Sequence, residues 1–493
     1  MSSQSRRGWA LALIAAAQFM VIMDTSIIGV ALPRIQDDLG FTQENLSWVF
    51  NAYVVAFGGL LLLGGRLSDL LGARRVFVTG WLVLAAGSVI AGAAGSVGVE
   101  IAGRAVQGVG AALIAPAALT LLMMTFGGNP AELTRALALY GAAAPAGGTA
   151  GVFLGGVLTE YTSWPWVFYI NIPVAIAAAI AAPALMPAGS RGSGSVDWFG
   201  AGTATLGLGG LVYAVVRAPE AGWATASTWL LLAGSVALLA VFLISQAVRR
   251  APLMRLSLLK APNLGAANLV QLLLGAAWIP MWFFLNLYLQ QVLGYTAFPS
   301  GAALLPMTAL IMAGMIAVAP KVIARFGPKT TTVTGLAILA AGIGWLAFIR
   351  PDGGYAADVL PASLVAAAGM SLAFIPSLGT AISSAPPADG GLASGLVNTS
   401  YQIGSALGLA AMTAVAAAFG STQVTNKVAL TDGFSAALTG AAIVAAAGAV
   451  LAALTLRRPA PAAQAPVAAQ DQVAAQDQVA AQDQVAQPEL ARR

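Results

Sequence analysis

Long apolar stretches, broken by short polar segments, run along almost the whole chain. They lie near residues 9–31, 46–64, 76–95, 99–124, 136–158 and 166–186, then 198–217 and 229–247, then 263–290, 300–319, 330–349, 359–381, 392–418 and 434–456. A helix of about 20 mainly apolar residues crosses the hydrocarbon core of a bilayer. Inside lipid a segment must satisfy its own backbone hydrogen bonds, so these stretches read as helices. The pattern predicts an all-α membrane protein with fourteen spans. It stops at Pro459, where an Ala/Gln/Pro-rich tail begins that repeats Ala-Ala-Gln-Asp-Gln-Val three times over 468–485. With little large apolar surface to bury, that tail is expected to be disordered.

Composition narrows the chemistry. Of 493 residues 59% are hydrophobic and 8% charged, against roughly a quarter charged in soluble proteins. The chain has no cysteine and no histidine, which excludes disulfides, thiolates and imidazole metal sites. A group that handles protons must then be a carboxylate, a tyrosine, a lysine or water. No G-x-x-x-x-G-K-[ST] loop is present, so ATP-driven transport is not expected. No cofactor and no metal are expected, and the protein is not expected to be an enzyme.

The net charge of +5 changes meaning once its distribution is followed. With the N-terminus placed inside, eighteen Lys and Arg fall on cytoplasmic segments, four on outer ones (Arg34, Arg217, Arg350 and Lys427), and Arg104 inside a span. Positive charge collects on the cytoplasmic side of membrane proteins. Both termini are therefore expected in the cytoplasm of a multi-pass inner-membrane protein. The basic residues suit the inner leaflet and not nucleic acid. The apolar run behind Arg6 and Arg7 exceeds the ~7–15 residues of a signal-peptide core and is expected to remain as the first span.

An internal repeat organises the spans. The segment 65–74, Gly-Arg-Leu-Ser-Asp-Leu-Leu-Gly-Ala-Arg, has a degraded copy at 320–329, and Gly147 and Gly151 have counterparts in Gly404 and Gly408. Two six-helix halves, 1–186 and 248–456, joined by an extra helix pair at 187–247 and followed by the tail at 457–493, account for these offsets. Repeated halves with a substrate site between them are common among secondary transporters.

Three groups of residues carry candidate chemistry. Asp24 is the acid deepest in a predicted span. At 1.5 Å per residue it lies about 22 Å past Trp9, and Arg104 lies about 8 Å below the outer boundary of its own span. In a core of about 30 Å these depths match. Charges in hydrocarbon need partners, so the two are expected to pair, either for proton coupling or as a purely structural ion pair. Gly147, Gly151 and Gly155 recur every four residues and line one stripe, which serves close helix packing, a coupling role, or both. On the ninth span Trp278, Trp282, Phe284 and Asn286 either line a substrate cavity or form an interfacial aromatic belt.

Several segments resemble a known family. Gly65, Arg66, Asp69, Gly72 and Arg74 fit motif A of the major facilitator superfamily, with Leu70 and Ala73 where Arg or Lys is common. The run Met23-Asp24-Thr25-Ser26 to Pro33 is similar to the signature of that superfamily's fourteen-helix drug:proton antiporters. Arg104, Gln107 and Gly108 resemble motif B, whose leading apolar position is here Glu100. Gly151, Gly155 and Gly156 resemble the antiporter motif C, with Val152 in place of the usual Pro. Trp164, Trp166, Phe168, Asn171 and Pro173 follow as in that branch, with Pro165 replacing Arg. The resemblance implies the major facilitator fold, a cytoplasmic latch at 65–75, and proton-coupled efflux of small lipophilic compounds such as antibiotics. Export of one endogenous metabolite (a self-made antibiotic, lipid or siderophore) is the alternative. The protein is expected to act as a monomer.

Overall fold

The computed structural model describes residues 3–188, 197–249, 252, 253, 256, 261, 263–384 and 390–457. The polar tail from residue 458 lies outside them, as do Arg191, Arg250, Arg255 and Lys260 of the basic bias. The described chain is a succession of helices: α1 (Ser3–Leu39), α2 (Trp48–Leu71), α3 (Ala73–Gly92), α4 (Val97–Phe126), α5 (Pro130–Tyr161), α6 (Trp166–Tyr169), α7 (Asn171–Leu185), α8 (Trp198–Ala221), α9 (Ala226–Val248), α10 (Leu264–Leu287), α11 (Ala297–Ala313), α12 (Ala319–Leu346), α13 (Leu360–Ser383), α14 (Gly390–Ala418) and α15 (Lys427–Thr455). They belong to one compact unit ending at Leu456.

Among the described residues thirteen helices are long and apolar enough to cross a membrane. One of them, Ala297–Leu346, has 50 residues and would be about 75 Å long if straight, more than twice the hydrocarbon thickness. It is broken at Gly327, whose φ of 79° and ψ of 161° leave the helical region. That break divides it into two spans and gives fourteen. Gly72, with φ 90°, makes the same turn between α2 and α3. Both glycines occupy corresponding positions of the repeated segment, and a side chain at either would strain the left-handed φ.

The repeat extends into the packing. An added methyl at Gly147 would strike the Phe19 carbonyl, and one at Gly151 the Met23 carbonyl; at Gly404 and Gly408 it would strike Leu272 and Ala276. The α1–α5 seam is thus rebuilt as α10–α14. Likewise Gly80 abuts the Gly110 carbonyl between α3 and α4, and Gly335 abuts that of Gly369 between α12 and α13. Backbones approach this closely where small residues remove the side-chain layer. The bundle has two six-helix halves, α1–α7 and α10–α15, with α8 and α9 between them in the chain. α8 packs on both α2 and α14.

Candidate functional site

Asp24 and Arg104 meet in the interior of the first half. Asp24 Oδ2 lies 2.6 Å from Arg104 Nη1, and both side chains are buried to within 1%. Arg104 Nε donates to the Val49 carbonyl at 2.8 Å and Nη1 also to Gln107 Oε1 at 2.7 Å. Asp24 Oδ1 accepts from Gln107 Nε2 at 3.1 Å and from Asn171 Nδ2 at 2.7 Å. Gln107 Nε2 reaches Ser88 Oγ at 2.8 Å, and Asn171 Nδ2 reaches it at 3.3 Å. The guanidinium lies 4.7 Å from the Tyr53 ring centroid and 5.8 Å from that of Phe168, within cation–π range. One ion pair thereby ties α1, α2, α3, α4 and α7 together. Removing one member of such a buried pair costs about 3–5 kcal/mol, because the other is left charged and unpartnered.

The sequence signalled Asp24, Arg104 and Gln107, and it placed Asn171 in a motif without a role. Ser88 and Tyr53 carried no signal. Glu100 was noted only as a departure from motif B at the margin of its span. It is fully buried, and neither carboxylate oxygen has a hydrogen-bond partner among the described residues; Arg104 Nη2 also lacks one.

Motif C divides between two neighbours. Gly151 and Gly155 face α1, where an added methyl would come within 2.8 Å of the Met23 carbonyl oxygen and 2.6 Å of that of Ile27. Gly156 faces the other half, where a methyl would lie 3.0 Å from Phe298 Cα on α11. Gly108 of motif B lies against α2 at Tyr53 and Ala56.

Trp278, Trp282, Phe284 and Asn286 are all buried, so they do not form an aromatic belt facing lipid headgroups. The helix that carries them is enclosed by its neighbours along most of its length. The Trp278 and Trp282 centroids are 6.4 Å apart, and Phe284 lies 5.6 Å from Phe434. Phe283 meets Phe50 of α2 edge-on at 6.0 Å, across the halves. An added methyl at Gly29 would lie 3.2 Å from both Trp282 Nε1 and Asn286 Nδ2. Asn286 Nδ2 donates to the Trp282 carbonyl at 2.8 Å, while its buried Oδ1 has no partner.

Beyond this contact, at the end that the charge bias assigns to the outside, three glutamines close a ring. Gln36 donates to Gln43 at 3.0 Å, Gln43 to Gln291 at 3.2 Å, and Gln291 back to Gln36 at 2.8 Å. Gln290 adds a bond to the Val30 carbonyl at 3.0 Å. A cavity of about 380 Å³ lies apart from this seam. It is bounded by Glu44, Trp48, Val97, Ile101, Tyr213 and Arg217 of α2, α4, α8 and the first loop.

Motif A is helical where the sequence suggested a loop. Gly65, Arg66 and Asp69 sit on the last turns of α2, Gly72 makes the turn, and Arg74 begins α3. Arg74 Nη1 donates to the Pro183 and Met186 carbonyls at the end of α7, each at 3.1 Å. Asp69 does not cap the next helix: Gly72 occupies the N-cap position, and no side chain caps α3. α2 continues two residues past Asp69, which keeps the carboxylate on the preceding helix. Arg66 lies within electrostatic reach of it.

Known proteins share this architecture. A solved proton-dependent oligopeptide transporter aligns with a TM-score of 0.62 at 17% identity, covering 91% of this chain and 98% of that one. The nucleoside transporter NupG aligns at 0.61 and 14%, covering 90% and 98%. In sequence, the cephamycin export protein CmcT of Amycolatopsis lactamdurans is 39% identical over 455 residues, 91% of this chain and 93% of its own. The puromycin resistance protein pur8 of Streptomyces alboniger is 37% identical over 437 residues, 87% and 86% of the two chains. Residues 14–409 match the Major Facilitator Superfamily as a whole. That match covers the charged core, the glycine seams and both copies of the repeated segment, and the chain belongs to this superfamily of membrane transporters.

Proposed function

We propose that the chain exports small lipophilic compounds, antibiotics among them, across the cytoplasmic membrane in exchange for protons. The observation that carries this reading is the buried Asp24–Arg104 pair. It is a titratable carboxylate held by a fixed cation, among helices that the glycine seams allow to slide. Protonating Asp24 releases Arg104, and a proton gradient can drive a cycle only through a group whose affinity for protons differs between conformations. The printed functions of the relatives, cephamycin export and puromycin resistance, support the direction of transport and the substrate class. Trp278, Trp282, Phe284 and the unpaired Oδ1 of Asn286 supply an apolar aromatic surface with one hydrogen-bond acceptor, suited to a lipophilic substrate. Arg74, bound to the end of α7, together with Asp69 and Arg66 forms a cytoplasmic latch. Both termini lie in the cytoplasm, the monomer is the working unit, and no cofactor, catalysis or nucleic acid is involved.

The test is puromycin accumulation in everted vesicles energised by a pH gradient. The wild-type chain is expected to accumulate puromycin and release protons. Asp24→Asn, inserted at equal level, is expected to equilibrate puromycin downhill but not concentrate it. Normal gradient-driven accumulation by that variant would make Asp24 structural. Export of one self-made antibiotic is the second reading, favoured by the likeness to a dedicated cephamycin exporter. A susceptibility panel on a deletion strain separates them: broad export sensitises the strain to many compounds, dedicated export to one.

A further inference from the structure

Glu100 stands one helical turn before Arg104 on α4, a spacing at which side chains are neighbours. Its carboxyl is fully buried with both oxygens unpartnered, and Arg104 offers the unpartnered Nη2. The charged groups that act on it are Arg104 on its own helix and Asp24 from α1. An ionised carboxylate buried without a partner is strongly disfavoured. The cluster of two carboxylates and one guanidinium is neutral when it holds one proton. With Asp24 paired to Arg104, that proton belongs on Glu100. The same turn of α4 contributes Val97 and Ile101 to the wall of the 380 Å³ cavity, which Glu44 also lines.

We propose that Glu100 is a second proton-binding carboxylate of the transport cycle, exchanging its proton with Asp24 while Arg104 changes partner from Asp24 to Glu100. In this step one O–H bond breaks at Glu100 and one forms at Asp24. The guanidinium leaves the Asp24 carboxyl, now neutral, for the Glu100 carboxylate, now charged, and the cluster's net charge does not change. The inference rests on the preceding reading that Asp24 handles the coupled proton, and it adds the group from which that proton comes.

The experiment is infrared difference spectroscopy of the full chain in liposomes, with puromycin accumulation as a second measurement. At neutral pH the wild type should show the stretching band of a buried protonated carboxyl. The isosteric Glu100→Gln should lose that band. Asp24→Asn should lose it as well, because Arg104 then turns to Glu100 and ionises it. A band that survives in Glu100→Gln, or one that survives in Asp24→Asn, overturns the exchange. In vesicles Glu100→Gln should lower gradient-driven accumulation about tenfold or more, leave downhill equilibration in place, and be partly rescued by Glu100→Asp. Accumulation at the wild-type level in Glu100→Gln overturns the proposal while leaving Asp24 as the coupling group. A wild type that shows no gradient-driven accumulation defeats the reading of Asp24, and the infrared result then decides the state of Glu100 by itself.

Discussion

The two halves are built on the same seams and filled with opposite chemistry. The contacts that match Phe19 with Leu272 and Met23 with Ala276 place Ala277 where α1 has Asp24. Gly87 lies against the backbone of Gln107 as Gly342 does against Ala366. By that register Ser363 stands in place of Arg104, Val359 in place of Glu100, and Ile343 in place of Ser88. Every charge of the first core is thus replaced by a small or apolar residue, and α10 adds Trp278 and Trp282 beside the vacated position. Inside the second half a neutral bond such as Gln271 Nε2 to Ser377 Oγ at 3.0 Å links the helices, and its Arg350–Asp358 ion pair lies at an exposed helix end. A duplicated scaffold needs its glycines in both copies because both have the same helix crossings. Among the described residues a fully buried ion pair occurs once, in the first half. The difference teaches that one scaffold can enclose a charged core in its first copy and an aromatic one in its second.

The sharpest way to break this contrast is Arg104→Ala. It strands Asp24 in a buried site and should lower stability by about 3–5 kcal/mol, read as a depressed melting midpoint in detergent together with loss of transport. An unchanged midpoint would mean that the charged core does not hold the first half together. Gly151→Leu attacks the shared scaffold instead. Its side chain meets the Met23 carbonyl, where even a methyl would lie 2.8 Å away, and overpacking of this kind costs about 1–3 kcal/mol. Transport should fall for all substrates alike, and a substrate-selective loss would assign the stripe to recognition. Trp282→Phe tests the second core. Shrinking a buried indole to a phenyl ring should cost about 1–3 kcal/mol yet alter relative resistance across a panel of antibiotics, with proton release per substrate unchanged. Asp69→Asn should have the smallest effect on binding. Puromycin affinity in detergent should stay within about threefold while turnover slows, because a latch biases conformations without touching the ligand. Affinity loss with normal turnover would remove the latch.

The Asp24–Arg104 contact was legible because depth along a helix follows directly from residue number. The convergence of Ser88, Gln107 and Asn171 was not, since it depends on how α3, α4 and α7 are rotated about their axes. The environment of Glu100 was not legible for a related reason. The residue entered only as a departure from motif B, and the structure buries it fully, with Arg104 of its own helix and Asp24 of α1 within electrostatic reach. The aromatic residues of α10 left two readings open in sequence, and only the enclosure of that helix separates them. Gly72 and Gly327 were visible as a repeated pair, and the repeat also explains why one unbroken apolar helix of 50 residues is two spans. Motif A read as a loop because its charges and glycines resemble a turn, although a single glycine suffices to reverse the chain.

The ring of Gln36, Gln43 and Gln291 ties the two halves together with neutral bonds alone. Separating α1 from Gln290 and Gln291, just beyond α10, breaks the two bonds to Gln291 and the bond from Gln290, and leaves Gln36 and Gln43 joined to each other. Each such neutral bond contributes about 0.5–1.5 kcal/mol net, and water takes its place as the amides separate. None of these groups titrates or carries charge, so the frequency with which the outer seam parts should be the same in acid and in base, in dilute buffer and in concentrated salt. A fastener of this kind answers to the strength of its neutral bonds and not to charge.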